Sequence, residues 1–526
     1  MKKTTTLWTL ALCLLVLGHD LFAQKTEKPN ILFIAVDDLK PLLSCYGESQ
    51  MITPNIDRLA KMGTVFMNNY CQQAVCAPTR ASLLTGQRPD YTRIWDLKTQ
   101  LRDMVPNVVT LPQYFKENGY TTATIGKMFD QRSVDKGMDV PSWSIPAVSY
   151  GKFPSNYAAG FEKPVNGYQL PETKAKVAKI EADAKSRGLT GTELTEYLAN
   201  NKGPAVESAD VPDDAYMDGV VAKNAIEMLG KFAKDQKPFF YAVGFVKPHL
   251  PFISPKKYWD LYDRSKIKIS GVQRMPVGAP DYAAQNSGEL YNAYMQSNFE
   301  HFDAKATPQS EAIQRELIHG YYAAVSYMDA QVGKLLDELK KQGLDKNTIV
   351  VLWGDHGWHL GDHGLWCKHD NYEQATKAPL IIASPAFKGN QKAQGLSEFV
   401  DIFPTLTEMA GLKTPADLAG KSLVPVLKNP EIELKSFTQS QYPRKGDKMM
   451  GYTIRTKRYR YVAWYEQNYR NTIILSTAKP VAVELYNYQK DALETENLAS
   501  KTEYKAVLKD HEKLMSEFLT NQKQSR

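Results

Sequence analysis

Two pairs of residues that can bind metal or transfer protons follow stretches typical of buried β-strands. Asp37-Asp38 comes directly after Asn30–Val36, and Asp355-His356 comes after residues 348–353. In open α/β sheets, sites form at the carboxyl ends of strands, so we expect these side chains to meet. Carboxylates suit a hard divalent cation, whereas the histidine nitrogen also permits Zn²⁺ or Mn²⁺. The residue types predict a metal site, although an isolated Asp-Asp pair is also common in loops and helix caps.

A cysteine stands at the start of a predicted helix. Pro78 and the apolar pair at residues 83–84 predict a helix that begins near Cys76 and ends at Gly86. The positive end of the helix dipole would lower the pKa of an unmodified thiol there. Arg80 follows one turn later and can pin or bridge a group at Cys76. A buried structural cysteine is the alternative interpretation.

The surrounding pattern alternates strands with helices. Apolar runs predict further strands at residues 121–125, 239–246 and 379–383, and a three-to-four-residue period predicts a helix over residues 311–342. This order predicts an α/β fold with a mostly parallel sheet sandwiched by helices. After about residue 430 the runs become shorter and richer in tyrosine. We therefore expect a catalytic domain over residues 24–430 and a smaller C-terminal α+β subdomain over residues 431–526.

Two long connections interrupt the alternation. Residues 161–210 are charged and poor in large apolar side chains, and residues 265–310 are rich in Tyr, Asn and Ser. Long loops in compact enzymes often frame a binding site. For residues 161–210, surface padding is an equally good interpretation.

Composition narrows the class of protein. The 526 residues contain 65 Lys and Arg against 58 Asp and Glu, a net charge of +7 that allows an acidic substrate without requiring nucleic acid. Residues 1–23 have the charged start, short apolar run and small-residue end of a signal peptide, so we expect an exported, periplasmic or secreted protein without stable membrane insertion. Export leaves four cysteines, too few for a disulfide scaffold, although a Cys45–Cys71 bridge stays open.

The cysteine motif carries a resemblance. Cys76-x-Pro78-x-Arg80, followed by Ala-Ser-Leu-Leu-Thr-Gly at 81–86, resembles the signature of type I sulfatases in the alkaline phosphatase superfamily. Residues 36–38, 53–59, 126–127, 355–357 and 484–487 are similar to further family motifs, in family order. Residues 38–41, 45–47, 72–76, 247–252, 355–358 and 441–444 look like the iduronate-2-sulfatase branch. The resemblance spans nearly the whole mature chain and implies an alkaline-phosphatase-like fold.

The resemblance implies a modified nucleophile and a metal. In the family, the residue matching Cys76 is oxidised to formylglycine by a formylglycine-generating enzyme. The ligands implied for Ca²⁺ are Asp37, Asp38, Cys76, Asp355 and His356.

The resemblance also implies catalytic roles. The hydrated formylglycine attacks the sulfur atom of a sulfate ester while Arg80 steadies it. Lys127 and Lys368 bind the sulfate oxygens as point charges. His249 is the candidate general acid for the leaving sugar oxygen.

One position departs from the family. The usual Gly-Lys-x-x-His is Gly-Lys-Met-Phe-Asp here, so that Asp130 stands where a histidine assists sulfate release. Asp130 either acts as the base, and so contributes to turnover or specificity, or points away.

Substrate contacts are predicted less directly. The branch acts on 2-O-sulfated uronic acids of glycosaminoglycans, and a uronate carboxylate needs cationic partners. The candidates for this contact are Arg93, Lys98, Arg444 and Lys445. Trp358 and His359 follow the metal ligands and are candidates to line a sugar site, with core packing as the alternative.

Three functions compete at this stage. The first is a secreted sulfatase on 2-O-sulfated uronate or another sulfated polysaccharide, including marine algal ones. The second is a phosphate or phosphonate ester hydrolase of the same superfamily with Cys76 unmodified. The third is an inactive glycan-binding protein, for which Asp130 is the sole support.

Overall fold

The computed structural model describes residues 28–148, 153, 157–294, 309–471 and 474–522. The expected signal peptide at residues 1–23 lies outside the described residues. Among the described helices, none is both long and apolar enough to cross a bilayer.

The strands fall into one large sheet, one smaller sheet and two short pairs. In chain order the described strands are β1 (Asn30–Val36), β2 (Gly63–Tyr70), β3 (Thr121–Gly126), β4 (Val206–Ala209), β5 (Phe239–Phe245), β6 (Phe252–Pro255), β7 (Thr348–Gly354), β8 (His359–Leu360), β9 (Trp366–Cys367), β10 (Leu380–Ala383), β11 (Gln391–Glu398), β12 (Phe437–Arg444), β13 (Met449–Thr456), β14 (Tyr459–Glu466) and β15 (Ala482–Asn487).

The large sheet has seven strands in the order β11-β2-β10-β7-β1-β5-β3. β1 pairs in parallel with β5 and β7, and β3 pairs in parallel with β5. β10 is the exception, because it runs antiparallel to both β2 and β7. The predicted mostly parallel α/β sheet is therefore confirmed, with one reversed strand that the apolar pattern of residues 379–383 did not reveal.

Helices cover both faces of this sheet. The described α-helices are α1 (Pro54–Met62), α2 (Cys76–Thr85), α3 (Pro89–Thr92), α4 (Leu101–Met104), α5 (Leu111–Glu117), α6 (Pro171–Ser186), α7 (Gly191–Ala199), α8 (Met217–Asp235), α9 (Lys256–Trp259), α10 (Gly288–Tyr294), α11 (Glu311–Lys341), α12 (Glu373–Thr376), α13 (Ile402–Met409), α14 (Val424–Lys428) and α15 (Lys505–Asn521).

Strand β1 shows why two helical layers are needed. Its side chains alternate between faces, as strand geometry requires. Leu32, Ile34 and Val36 enter a core shared with helices α1, α8 and α11. Ile31 and Phe33 enter a second core shared with α2, α5 and α13. A strand buried on both faces has no polar positions, which accounts for its continuous apolar sequence.

The ends of the parallel strands are held in register beyond the last sheet residue. The backbone N–H of Asp37 donates to the carbonyl of Phe245 at 3.2 Å, and that of Asp355 donates to Val36 at 3.1 Å. The N–H of Lys127 donates to the carbonyl of Gly244 at 3.0 Å. A Cβ at Gly244 would lie 2.2 Å from the carbonyl oxygen of Lys127, so glycine permits this approach. Backbone contacts therefore bring Asp37, Lys127 and Asp355 to one edge.

A second sheet follows the large one in sequence. Strands β12 to β15 form an antiparallel meander, and α15 packs on one face through Met515 and Phe518. All four strands lie beyond residue 430, the expected boundary. The N–H of Gln441 on β12 donates to the carbonyl of Gln72 at 2.8 Å, so this sheet supports the segment that precedes Cys76.

A buried arginine links β14 of the second sheet to the loop that follows β9. Arg460 on β14 donates to Glu494 at 2.5 Å and to the carbonyl of Asn371 at 2.8 Å, and its side chain is 1% exposed. Its guanidinium lies 4.9 Å from the ring centre of Tyr372 and 4.7 Å from that of Tyr486. The ion pair and the cation–π contacts together replace the water that the charge loses.

We expect Arg460→Ala to lower the free energy of unfolding by about 3–5 kcal/mol, because it leaves Glu494 buried without its ion partner. Chemical denaturation measures the change. Arg458→Ala, in the turn that joins β13 to β14, is the matched control, since that side chain is exposed and its loss should cost less than about 1 kcal/mol. An equal effect of the two substitutions would contradict the assigned role of Arg460.

Candidate active site

Five side chains with metal-binding atoms converge where β1 and β7 end and α2 begins. Asp38, Cys76 and His356 form one group whose ligand atoms all lie within 4.8 Å of one another, and Asp37, Cys76 and Asp355 form a second. The Nε2 atom of His356 lies 3.4 Å from Asp38, 3.5 Å from Asp355 and 3.6 Å from the sulfur of Cys76. The structure thus brings together all five residues that the sequence analysis named as metal ligands.

His356 is oriented for metal binding. Its Nδ1 lies 2.9 Å from the carbonyl oxygen of Gly357, which only accepts, so Nδ1 carries the proton. Nε2 is left with its lone pair directed at the carboxylates. A backbone acceptor on the far ring nitrogen is the usual way in which a ligating histidine is held.

Arg80, on helix α2, binds two of the carboxylates. Its Nε donates to Asp355 at 3.0 Å, and its Nη2 donates to Asp37 at 3.1 Å, with all three side chains fully buried. Nη1 donates to the carbonyls of Lys127 and Met128. The guanidinium also lies 5.4 Å from the ring centre of Trp353. Arg80 therefore fixes the positions of these carboxylates through its planar fork.

Neighbouring charges give the adjacent residues Asp37 and Asp38 very different pKa values. Burial alone would raise the pKa of Asp37, but the charges of Lys127, His249 and Arg80 hold that pKa well below its usual value. Burial raises the pKa of Asp38 to about 7, although the ammonium of Lys368 opposes the shift. Asp38 also has a φ of 58°, a left-handed backbone that is uncommon outside glycine. Such strain clusters at functional sites.

The prediction that the helix dipole lowers the pKa of an unmodified Cys76 thiol is wrong. The cysteine does open helix α2, and Gly86 ends that helix in the left-handed conformation as expected. However, burial and the charge of Asp37 raise the pKa of the thiol well above its usual value instead of lowering it. Only the thiolate is a strong nucleophile, so an unmodified Cys76 is poorly suited to attack.

Two lysines bind the adjacent carboxylates of Asp37 and Asp38. Lys127 Nζ lies 2.5 Å from Asp37, and Lys368 Nζ lies 2.8 Å from Asp38. The Lys368 ammonium also lies 2.9 Å from Glu289 and 4.8 Å from the ring centre of Trp358. Both predicted cations are therefore at the site, where they can bind an anion beside the metal ligands.

His249 completes the cluster from the loop after β5. Its Nδ1 lies 2.6 Å from the carbonyl of Leu250, and its Nε2 lies 3.1 Å from Glu289 and 3.9 Å from Asp38. Acceptors stand at both ring nitrogens, which favours a protonated imidazole, but burial and the charge of Lys368 lower the pKa of His249. The backbone of the loop is held by Asp218, which accepts from the N–H groups of residues 246 and 247.

The sequence analysis missed Glu289. This residue opens helix α10 within the connection at residues 265–310, and it accepts from Lys368, His249 and His369. A single acidic residue in a polar loop gives no periodic signal. The expectation that this connection frames the site was the nearest available clue.

A cavity of about 750 Å³ opens beside the cluster. Asp37, Lys127 and His249 form its inner end, and Leu198 and Lys202 from the insertion at residues 161–210 form part of its wall. The insertion consists of α6, α7 and β4. It therefore lines the cavity, and the interpretation as surface padding is wrong for this part of it.

Asp130 is held by an arginine. Its carboxylate accepts two bonds from Arg132, at 2.9 Å and 2.7 Å, and its side chain is 2% exposed. Burial alone would raise the pKa of Asp130, but the hydrogen bonds from Arg132 and the charge of Lys127 lower it to about 2. A carboxylate that holds its proton so weakly is a poor base. The structure therefore disfavours the predicted base role and leaves Asp130 on the cavity wall as the partner of Arg132.

The candidate sugar contacts at Trp358 and His359 are not presented to the cavity. Both side chains have no exposed surface. Trp358 packs against Phe252, with ring centres 6.2 Å apart, and Nε2 of His359 lies 2.9 Å from Asp370. Core packing, the alternative interpretation, describes both residues.

The candidate carboxylate-binding cations also lie elsewhere. Arg93 is exposed and donates to the carbonyl of Arg470, and Lys98 is exposed. Arg444 donates to the carbonyls of residues 282 and 283 and stacks on Tyr442. Lys445 lies over Tyr282. None of these four residues is among those that line the cavity.

The cysteines of the described chain are unpaired. Cys45 and Cys71 are free thiols, as are Cys76 and Cys367. The bridge that the sequence left open between Cys45 and Cys71 is therefore not present in the structure.

Comparison with known proteins agrees with the geometry of the site. The Sulfatase family model matches residues 29–412, and a model described as N-sulphoglucosamine sulphohydrolase, C-terminal, matches residues 361–522. The chain is 34% identical to iduronate 2-sulfatase of Homo sapiens, over 92% of this chain and 93% of that one. It is 27% identical to Delta 4,5-hexuronate-2-O-sulfatase of Bacteroides thetaiotaomicron, over 95% and 91%.

A solved structure has the same fold. It contains a protein in complex with its substrate D-glucosamine-2-N,6-O-disulfate and superposes with a TM-score of 0.70 at 21% identity, covering 94% of this chain and 98% of that one. The fold and the buried metal-ligand cluster define a hydrolase of the alkaline phosphatase superfamily. Within it, the chain belongs to the sulfatase family, whose members hydrolyse sulfate esters.

We expect Glu289→Gln to lower kcat/KM for 4-nitrophenyl sulfate by about 10–100-fold, because His249 and Lys368 lose the carboxylate that orients them. Steady-state sulfate release measures this loss, and thermal unfolding checks that the fold is intact. Glu311→Gln, at an exposed position on the next helix, is the control and should retain activity. Wild-type turnover by Glu289→Gln would show that Glu289 does not position the cluster.

Proposed function

We propose that the protein is an exported sulfatase that removes the 2-O-sulfate of a uronic acid in a sulfated glycan. The observation that carries the proposal is the arrangement around Cys76, where the metal-ligand cluster, two lysines and one histidine surround a single position. Similarity to iduronate 2-sulfatase over nearly the whole of both chains supports the uronate substrate.

Ca²⁺ and a formylglycine at position 76 fit the residues present. The cluster offers three carboxylates and one imidazole with ligand atoms close together, and Ca²⁺ prefers such oxygen-rich sets. The ligands would be Asp37, Asp38, Asp355, His356 and the modified Cys76. When bound, the cation polarises a sulfate oxygen, and the hydrated formylglycine supplies the nucleophilic oxygen.

The remaining residues bind the sulfate group and protonate the leaving sugar oxygen. Lys127 and Lys368 lie beside the metal-ligand carboxylates Asp37 and Asp38, so their ammonium groups bind the sulfate oxygens and stabilise charge that develops on them. His249 Nε2 lies 3.1 Å from Glu289 and 3.9 Å from Asp38, beside the proposed sulfate position, and donates a proton to the leaving sugar oxygen. Arg80 holds Asp37 and Asp355 in place and does not contact the substrate.

The cavity suits a saccharide. A volume of about 750 Å³ is in the range of small-molecule sites. Its walls combine apolar side chains such as Leu250 and Tyr294 with charged groups. The proposal also includes a formylglycine-generating enzyme as the maturation partner, and export directed by residues 1–23.

A disaccharide panel tests the substrate. We expect 2-O-sulfated unsaturated uronate disaccharides to be hydrolysed with a kcat/KM at least about 100-fold above that for 6-O-sulfated hexosamine disaccharides, because a site built around polar groups rejects a misplaced ester. Ion chromatography of released sulfate gives both rates. Preference for the 6-O-sulfated series, or for a sulfated algal polysaccharide, would overturn the uronate assignment.

We expect conversion of Cys76 to formylglycine to lower the mass of its peptide by about 18 Da, since a thiol becomes an aldehyde. The tryptic peptide over residues 62–80 also contains Cys71, so fragment ions must assign the change. Protein made with and without a formylglycine-generating enzyme is compared, with Cys71→Ala and Cys76→Ala as matched variants. The loss should persist in Cys71→Ala and vanish in Cys76→Ala. Full activity with an intact thiol would contradict the proposed nucleophile.

A further inference from the structure

The cavity carries more positive charge than one sulfate ester requires. The cationic side chains on its lining are Lys127, Arg132, Lys163, Lys202, Lys247 and His249. The acidic side chains on it are Asp37, Asp130, Glu181 and Asp218. Asp37 and Asp130 are bound by Arg or Lys, and Asp218 accepts from backbone N–H groups. Two of the cations remain available to a ligand.

Lys202 is one of them. It comes from the end of the insertion at residues 161–210, and its backbone N–H donates to the carbonyl of Ala293 at 2.8 Å, so its position is fixed against helix α10. Its ammonium lies 5.4 Å from the ring centre of Tyr294. Within the described ranges it has no carboxylate partner. Burial lowers the pKa of Lys202, and the charges of Arg132, Lys368 and Lys127 lower it further despite Glu289, so these cations share one space.

Arg132 is the second available cation. Its Nε and Nη2 atoms bind the two oxygens of Asp130, while its Nη1 has no hydrogen-bond partner among the residues that the structure describes. The side chain is 51% exposed and lines the cavity. The carboxylate of Asp130 holds the guanidinium by one edge and leaves the N–H groups of Nη1 directed away from Asp130. A guanidinium held in one orientation in this way can donate its remaining N–H groups to a second anion.

We propose that Lys202 and Arg132 form a second anion-binding subsite, which takes a carboxylate or a further sulfate on the same saccharide whose sulfate ester is cleaved. Asp130 is the positioning residue for Arg132. The inference rests on the proposed glycan sulfatase function, since it concerns a second group on that substrate. It gives the insertion a role in specificity.

The positions of the four cations indicate which anion each pair binds. Lys127 and Lys368 contact the metal-ligand carboxylates and serve the sulfate that is transferred. Lys202 and Arg132 stand on the cavity wall and contact no metal ligand. An unpaired, partly buried ammonium gains more from an anion than one in bulk water, because the surroundings screen it less. A second anion would therefore add affinity without taking part in the chemistry.

Binding to the Cys76→Ala protein tests the subsite without turnover. Two matched saccharide pairs are used in calorimetry: a 2-O-sulfated unsaturated uronate disaccharide with its carboxyl-reduced form, and glucosamine-N,6-disulfate with N-acetylglucosamine 6-sulfate. We expect the doubly anionic member of at least one pair to bind about tenfold more tightly than its partner, and Lys202→Ala to remove that preference while the singly anionic partner binds as before. The pair that shows the preference identifies the anion as carboxylate or sulfate.

Further variants separate a local role from a general charge effect. Lys176→Ala removes a positive charge from the exposed part of the same insertion and should leave the preference intact. Asp130→Asn should reduce the preference as Arg132→Gln does, because both release the guanidinium from its fixed orientation. In active protein, Lys202→Ala, Arg132→Gln and Asp130→Asn should raise KM for the doubly anionic substrate and leave kcat within about twofold, which a purely structural defect would not do, whereas Lys176→Ala should leave KM unchanged.

The outcomes for the two proposals are distinguishable. If the wild-type enzyme hydrolyses 6-O-sulfated hexosamine and not 2-O-sulfated uronate, the proposed substrate fails, but the binding preference for two anions still stands or falls by itself. Equal binding within both pairs overturns the subsite, whichever ester is cleaved. Equal losses in Lys202→Ala for the singly and doubly anionic members also overturn it.

Discussion

The buried guanidinium of Arg80 is the interaction on which the site depends. Asp37 and Asp355 come from strands that neighbour each other in the sheet, and both carboxylates lie fully buried beside Asp38. Three carboxylates so close together repel one another strongly when water is excluded. Arg80 binds two of them from helix α2, while Lys127 binds Asp37 and Lys368 binds Asp38. Despite its burial, the charges of Lys127, His249 and Arg80 hold the pKa of Asp37 well below its usual value, whereas burial raises the pKa of Asp38 to about 7. A bound divalent cation would favour the ionised form of both carboxylates.

Different parts of the fold hold the reacting groups and form the wall of the substrate cavity. The parallel strands and helix α2 place the reacting groups through backbone contacts that leave little freedom, as at Gly244. The second sheet holds the segment before Cys76 and the loop after Lys368 through Gln441 and Arg460. Elements inserted between strands, by contrast, form the cavity wall. Loops on a rigid scaffold can change the substrate without disturbing the chemistry.

The sequence predicted the centre of the site better than its rim. Asp37, Lys127, His249 and Asp355 follow strand patterns whose ends must meet in a parallel sheet, so their convergence could be inferred. Strands β2 and β11 were missed because their residues mix apolar with polar types, and the reversal of β10 leaves no trace in a four-residue run. Lys202, Arg132 and Glu289 depend on how loops fold back across the sheet. Trp358 and His359 show the converse, since neighbours of a site residue in sequence can point into the core.

The burial of helix α2 would set an order of events for the proposed conversion of Cys76. All ten of its residues are buried, and Cys76 at its start is 1% exposed. An enzyme that modifies this side chain must bind the surrounding peptide, which it cannot do once the helix is packed between the sheet and its neighbours. Conversion to formylglycine would therefore have to precede folding, while the chain is still extended. A molecule that folds first would be closed to such an enzyme, so the active fraction would depend on the relative rates of modification and folding.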